Sequence, residues 1–263
     1  MEGSGARFAE LVQGPESSVP LDRAALLIAD HAYPGGLDVE AELARIDELA
    51  GGCPEPTFES WRHHMFDVLG FRGSVSDYYD PANSFLNEVV TRRQGLPITL
   101  SVLGMEVGRR LGVPLLAVGM PGHFLLQHAG PGPRRWVDPF AGGRVLDRAG
   151  CEERFRVVNG ANTPFLEAYL DPVGPHAVLG RMLANLKSIY TARGDVESLA
   201  WVVSLRLALP GTPLAERRDL ARVLGSKGQF RDAAEILEEL AGAVPDDAPS
   251  LRQESTALRA RMN

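Results

Sequence analysis

The run Gly95-Leu96-Pro97-Ile98-Thr99-Leu100-Ser101-Val102-Leu103-Gly104-Met105-Glu106-Val107-Gly108-Arg109-Arg110-Leu111-Gly112 decides the fold. Pro97 carries the backbone angle suited to a first helical turn and has no amide hydrogen to leave unpaired there. Gly112-Val113-Pro114 supplies the stop, so the run predicts a helix from Pro97 to about Leu111. Leu100, Leu103, Val107 and Leu111 form one apolar stripe, while Ser101, Gly104 and Gly108 form a second with almost no side chain. Such small residues let another backbone approach closely. This is the profile of a central helix packed on a sheet, with its N-terminus facing whatever the strands present.

After this helix the pattern changes. Segments 115–120, 123–128 and 135–138 are short, apolar and separated by Gly and Pro, which suits a small antiparallel sheet. Two polar residues stand out in them, His123 in Pro121-Gly122-His123-Phe124 and Asp138 in Trp136-Val137-Asp138-Pro139-Phe140. A period of two puts His123 and His128 on opposite faces, so His128 should not assist His123. A His and an acid on neighbouring strands are two thirds of a thiol-enzyme triad, in which the acid orients the imidazole and the imidazole activates a cysteine. Alternatively, Asp138-Pro139 forms a turn in which Asp138 accepts nearby backbone amides.

Before the central helix the chain reads as helical. Apolar spacing predicts helices over 21–31, 39–50 and 58–69, with Pro34-Gly35-Gly36 and Gly51-Gly52 as stops. The turn-rich run Ser74-Val75-Ser76-Asp77-Tyr78-Tyr79-Asp80-Pro81-Ala82-Asn83 leads to a helix that Asn83 or Ser84 caps and that extends through Arg92 or Arg93. Residues 1–20 read as a tail. Beyond residue 175 a repeat emerges: Tyr190…Arg193-Gly194-Asp195-Val196 is matched, 34 residues on, by Leu224…Lys227-Gly228-Gln229-Phe230. That is the period of a tetratricopeptide helix pair. Two copies cannot close a solenoid, so these helices should lean on the front domain.

Composition narrows the function classes. The 263 residues carry a formal net charge of −7, which argues against a nucleic-acid footprint. No basic region leads into an apolar stretch at the start and no membrane-length apolar run occurs, so the expected compartment is the cytoplasm, without membrane association. Cys53 and Cys151 are far apart and share no ligand-like spacing with the six histidines. They read as two reduced thiols. No metal and no cofactor is expected.

Five blocks, Tyr79-Asp80-Pro81-Ala82-Asn83-Ser84-Phe85-Leu86, Arg92-Arg93-Gln94-Gly95-Leu96-Pro97-Ile98-Thr99-Leu100, Pro121-Gly122-His123-Phe124, Asp138-Pro139-Phe140-Ala141-Gly142-Gly143 and Arg181-Met182-Leu183-Ala184-Asn185-Leu186-Lys187, occur in an order that resembles the SirB-type branch of transglutaminase-like proteins. The resemblance spans most of residues 20–245. It implies an α+β, papain-like core of helices on a small antiparallel sheet, followed by an all-α, tetratricopeptide-like region. The corresponding limits are a tail over 1–20, a helical front and core over 21–170, and repeats over 175–263. In active members of such folds a Gly-x-Cys places the nucleophile on the first turn of the central helix, where the helix dipole lowers the thiol pKa. Here Gly95-Leu96-Pro97 stands in that place, and proline is no nucleophile. Thr99 points away from the Pro97 direction, because two helical steps turn a side chain by about 200°. Ser101 returns to that side one turn deeper and fits the packing stripe.

The expectation is therefore a degenerate, noncatalytic module that binds a protein or peptide, with oligomeric state left open. His123 and Asp138 form its triad-like pair, and Asn83, Arg92, Arg93 and Phe140 its binding residues. Asn83 reads both as a helix cap and as an amide able to hold a ligand backbone. Arg92-Arg93, with Arg109-Arg110 and Arg134-Arg135, reads as a local anion surface or as solvated helix-end charge. Two alternatives stand beside this reading. One is an amide hydrolase or acyltransferase in which His123, oriented by Asp138, acts as general base without a cysteine. The other is a pure repeat scaffold.

Overall fold

A computed structural model describes residues 2–262; Met1 and Asn263, the outer ends of the expected tail and repeat region, lie outside the described residues. The chain divides into two compact units, residues 14–182 and residues 1–13 together with 183–263.

In the first unit, helices α2 (Leu21–Asp30), α3 (Val39–Gly51), α4 (Phe58–Arg62), α5 (Leu86–Arg92) and α6 (Pro97–Leu111) precede a sheet of β3 (Leu115–Val118), β4 (Leu125–His128), β5 (Arg135–Asp138) and β6 (Arg144–Leu146); α2, α3 and α5 pack on α6, and α6 packs on β3 and β4. The sheet is antiparallel throughout, in the order β3-β4-β5-β6. A second, parallel ladder pairs β1 (Arg72–Gly73) with β2 (Gln94–Gly95). This is the α+β core expected, with helices on a small antiparallel sheet. Asp38 and Thr57 accept amide hydrogens at the starts of α3 and α4, and Gly112 ends α6 in the left-handed conformation with φ 72°.

The central helix packs as its bare stripe requires. Trp61, fully buried, lies over Gly104 and donates from its indole Nε1 to the Gly104 carbonyl at 3.1 Å. A Cβ on Gly108 would stand 2.6 Å from Leu115 Cδ1 and 3.1 Å from the Val113 carbonyl. Gly108→Ala is expected to lower unfolding free energy by about 1–2 kcal/mol, overpacking outweighing the helix-propensity gain. Urea denaturation checks this, and an unchanged midpoint would show that β3 yields freely.

Several local expectations change. The helix expected over 58–69 breaks after Arg62 into a π-helical turn, His63–Val68. Asn83 does not cap a helix: it lies in a 3-10 turn, Pro81–Ser84, and α5 begins after Phe85 without a side-chain cap. Helix α7 (Arg148–Asn159), capped by Asp147, and strand β6 carried too little apolar periodicity to be read from sequence.

In the second unit, residues 2–13 are no tail. They form α1 (Glu2–Gln13), whose Phe8 and Val12 are fully buried, and α1 packs on α9 (Val196–Ala208). The early Gly3 and Gly5 mask this short amphipathic signal. Gln13 Nε2 donates to the Ala208 carbonyl at 2.9 Å. Helix α8 (Pro175–Arg193) enters this unit; α9, α10 (Ala215–Ser226), α11 (Phe230–Ala243) and α12 (Ala248–Ala260) then pack in succession. The 34-residue repeat is visible as one turn built twice. Gly194 and Gly228 have φ 65° and 79°, Asp195 N bonds Tyr190 O at 3.0 Å, and Gln229 N bonds Leu224 O at 2.9 Å. No helix among the described residues is long and apolar enough to cross a membrane.

Candidate functional site

Strand pairing brings His123 and Asp138 together. Leu126 pairs with Val137, so one step further Leu125 stands opposite Asp138, and His123 precedes Leu125 by two residues. Gly122, at φ 73°, turns the chain there, and His123 N bonds Met120 O at 3.0 Å. His123 Nε2 lies 3.0 Å from Asp138 Oδ1, with His123 5% exposed and Asp138 fully buried. The contact has ion-pair distance without the direction of a good N–H···O bond. His123 Nδ1 makes no hydrogen bond to a described residue and is not sealed from solvent.

The turn reading of Asp138-Pro139 holds at the same time. Ala141 N donates to Asp138 Oδ1 at 3.1 Å, and Gly143 N to the Asp138 carbonyl at 3.0 Å. A third partner escaped sequence reading: Arg154, on α7, places a guanidinium nitrogen 2.8 Å from Asp138 Oδ2. Burial pushes the Asp138 carboxyl up, but His123, Arg154 and the Ala141 amide together hold it below its ordinary value. Arg154 and His123 thus share one carboxylate, each on a different oxygen. Nothing local in the sequence around Arg154 announces this, since the contact joins a helix to the end of a strand.

The pair is tied to the start of α6 through β1 and β2. Phe140 accepts from Gly73 N at 3.0 Å, and its ring covers the place where a Gly73 Cβ would be. Gly73 pairs with Gly95, two residues before Pro97. Pro97 is buried at the first position of α6. The Phe140 ring meets His123 edge-on with centroids 6.2 Å apart, and Tyr78 meets Phe140 at 6.0 Å. Gly73→Ala would drive the Phe140 ring off this position, at a cost of about 1–3 kcal/mol. The expected readout is a shift of the His123 ring-proton resonances, and unshifted resonances would mean that Phe140 does not order the imidazole.

The remaining sequence candidates divide. Asn83, fully buried, donates from Nδ2 to the Asp77 carbonyl at 2.6 Å, and its own carbonyl accepts from Leu96 N and Thr99 Oγ1. It pins the 77–80 loop to the start of α6. Ser101 Oγ donates to the Pro97 carbonyl at 2.8 Å, so both candidate hydroxyls are buried and spent on the backbone. Arg92 pairs with Asp80 at 2.8 Å and Arg93 donates to the Leu69 carbonyl at 2.7 Å. Arg109, Arg110 and Arg135 have carboxylate partners, and Arg134 bonds Gln127. The expected anion surface is thus dissolved into internal pairs. Burial, with Asp147 and Asp138 behind it, pushes the Cys151 thiol up to about 12. Cys53 Sγ donates to the Glu55 carbonyl.

The family description "Transglutaminase-like superfamily" matches residues 37–184, which contain every element of this arrangement. The chain belongs to that superfamily. Its relatives include a UPF0162 protein of Xylella fastidiosa, 38% identical over 189 residues that cover 66% of each chain. A UPF0162 protein of Pseudomonas aeruginosa is 33% identical, covering 55% of this chain and 46% of its own length. The F-box only protein 21 of Mus musculus is 35% identical over 142 residues, 51% of this chain and 22% of that protein. The chain spans just under two thirds of the Xylella relative, and less of the others. No solved structure matches significantly. Within this transglutaminase-like chain the superfamily segment ends at 184, before α9 begins at Val196.

Proposed function

We propose that this chain is a noncatalytic transglutaminase-like module that binds a protein or peptide segment beside His123. The occupation of the nucleophile's place by buried Pro97 carries this reading. Two observations support it. The carboxylate that would activate His123 is shared with Arg154, and the rim beside the pair is aromatic and partly open, with Tyr78 38% exposed and packed on Phe140. Aromatic side chains offer large contact area at low entropic cost and are enriched where proteins bind one another. In this reading His123 and Phe140 contact the ligand, while Asn83 holds the loop that carries Tyr78. That the same segment occurs within a much longer F-box only protein 21 supports a portable module. The helices from α8 onward, tetratricopeptide-like in period, supply a second surface. A groove of about 340 Å³ between α10, α11 and α12, lined by Ala221, Leu237 and Leu258 among others, suits it.

Selection from a displayed random-peptide library tests the reading, using wild type, His123→Gln and Tyr78→Ala. Enrichment by wild type with at least about tenfold weaker binding to each variant is expected, the loss of roughly 1.4 kcal/mol per contact. Equal binding by all three would sink it. The unpartnered Nδ1 of His123 favours a second reading, an amide hydrolase or acyltransferase in which His123 acts as general base on water or on a substrate group. Turnover of peptide amides by wild type that disappears in folded His123→Gln would select it over binding alone.

A further inference from the structure

Arg181 is an unusual cation in this structure. Every other half-buried arginine among the described residues has a carboxylate within ion-pair reach: Arg23, Arg45, Arg62, Arg110, Arg135, Arg154, Arg206, Arg217 and Arg218. Arg181 has neither an ion pair nor a hydrogen bond to a described residue. Its guanidinium lies over the Phe124 ring, 5.5 Å from the centroid, and its nitrogens keep contact with solvent. Gly119 lies beside it, where a Cβ would stand in ordinary contact 3.6 Å from a terminal nitrogen. Burial pushes the guanidinium below its ordinary value, which Tyr78 partly offsets. An arginine stays charged under such pressure, so an unpaired cation is held in a half-apolar setting.

The place is specific. The Arg181 charge acts on Tyr78, and Tyr78 packs on the Phe140 ring that faces His123. We infer that Arg181 is an anion-binding subsite beside His123 and receives one carboxylate of the bound ligand. A carboxylate matches the planar guanidinium fork through two parallel hydrogen bonds. A phosphate dianion fits less well, because the nearby Arg154 cation is already engaged with Asp138. The inference rests on the binding reading above and names the chemistry of the ligand.

Titration followed by NMR at the Arg181 Nε–Hε resonance tests it without any identified partner. The probes are sodium acetate, acetyl-Gly-Gly with a free carboxylate, acetyl-Gly-Gly amide, acetyl-Glu amide and inorganic phosphate, each at constant ionic strength. Saturable shifts are expected for acetate and for either carboxylate peptide, with none for acetyl-Gly-Gly amide. The tighter of the two carboxylate peptides identifies a chain terminus or an acidic side chain as the source. Arg181→Gln, with its fold verified by amide dispersion, should weaken carboxylate binding about tenfold or more as read at the Phe124 and Tyr78 resonances. Arg181→Lys should retain part of it, as a point charge without the fork. Tighter binding of phosphate than of carboxylate, an equal response in Arg181→Gln, or no saturable shift would each overturn the assignment. Failure here with intact peptide selection removes the carboxylate but leaves the binding module standing.

Discussion

Arg110→Ala is expected to destabilise the core by about 3–5 kcal/mol, because it removes the buried cation of a network and leaves two buried carboxylates with only the largely exposed Arg109 beside them. Arg110 pairs with Asp22 at 2.8 Å and with Glu106 at 3.1 Å, both carboxylates almost wholly buried, and reaches Asp47 on α3. These contacts join α2, α3 and α6 at the end of the central helix remote from Pro97. Burial raises both carboxyls; Arg110 and the Arg23 amide overcome it at Asp22, whereas at Glu106 Asp22 adds to it. Asp22, held low, therefore contributes stability above its unfolded value that is lost as pH falls. Glu106, held high, contributes stability at low pH that is lost as pH rises. Glu106→Gln should accordingly cost much less than Arg110→Ala at neutral pH. Urea denaturation of both variants checks this, and equal losses would show that the network is not organised around Arg110.

Asp138→Ala carries the second large expected loss, again about 3–5 kcal/mol, since it leaves His123 and Arg154 without their shared anion. The pH dependence has a definite sign. Asp138 is held below its ordinary value in the fold, so its contribution is present above the unfolded value of about 3.9 and disappears as pH falls through the lower folded value. The stability gap between wild type and Asp138→Asn should therefore be constant near neutrality and close below about pH 4. A gap that instead closes on raising the pH from 5 to 8 would mean that His123, and not Asp138, controls the linkage. Because this variant disturbs folding, it cannot serve as the test of ligand binding, for which His123→Gln and Tyr78→Ala are better suited.

Much of the core was legible along the chain because its signals are local. Pro97, Gly112 and the bare stripe through Gly104 and Gly108 define the central helix and its close packing without reference to any distant residue. Period-two segments broken by Gly and Pro define the strands, and the spacing of His123 and Asp138 across a hairpin brings the two side chains to one place. The 34-residue displacement of Gly194 to Gly228 likewise foretold two equivalent turns. By contrast, Arg92 and Arg93 looked available because sequence shows a charge but not its partner. Asn83 looked like a cap because a turn former before an apolar run usually is one.

What the residues alone established, then, is a central helix that opens at Pro97 and is followed by short strands that carry His123 and Asp138. Helix starts, strand alternation and the identity of one residue are properties of neighbours in the chain, and these can be read in order. Only the tertiary structure decided how the charges are distributed. It put Arg154 on Asp138, gave carboxylates to the other half-buried arginines, and left Arg181 over Phe124 without one. Those pairings join residues far apart in sequence through side chains whose reach and direction are set by packing. Coulombic partnership depends on distance in space, which no local pattern encodes.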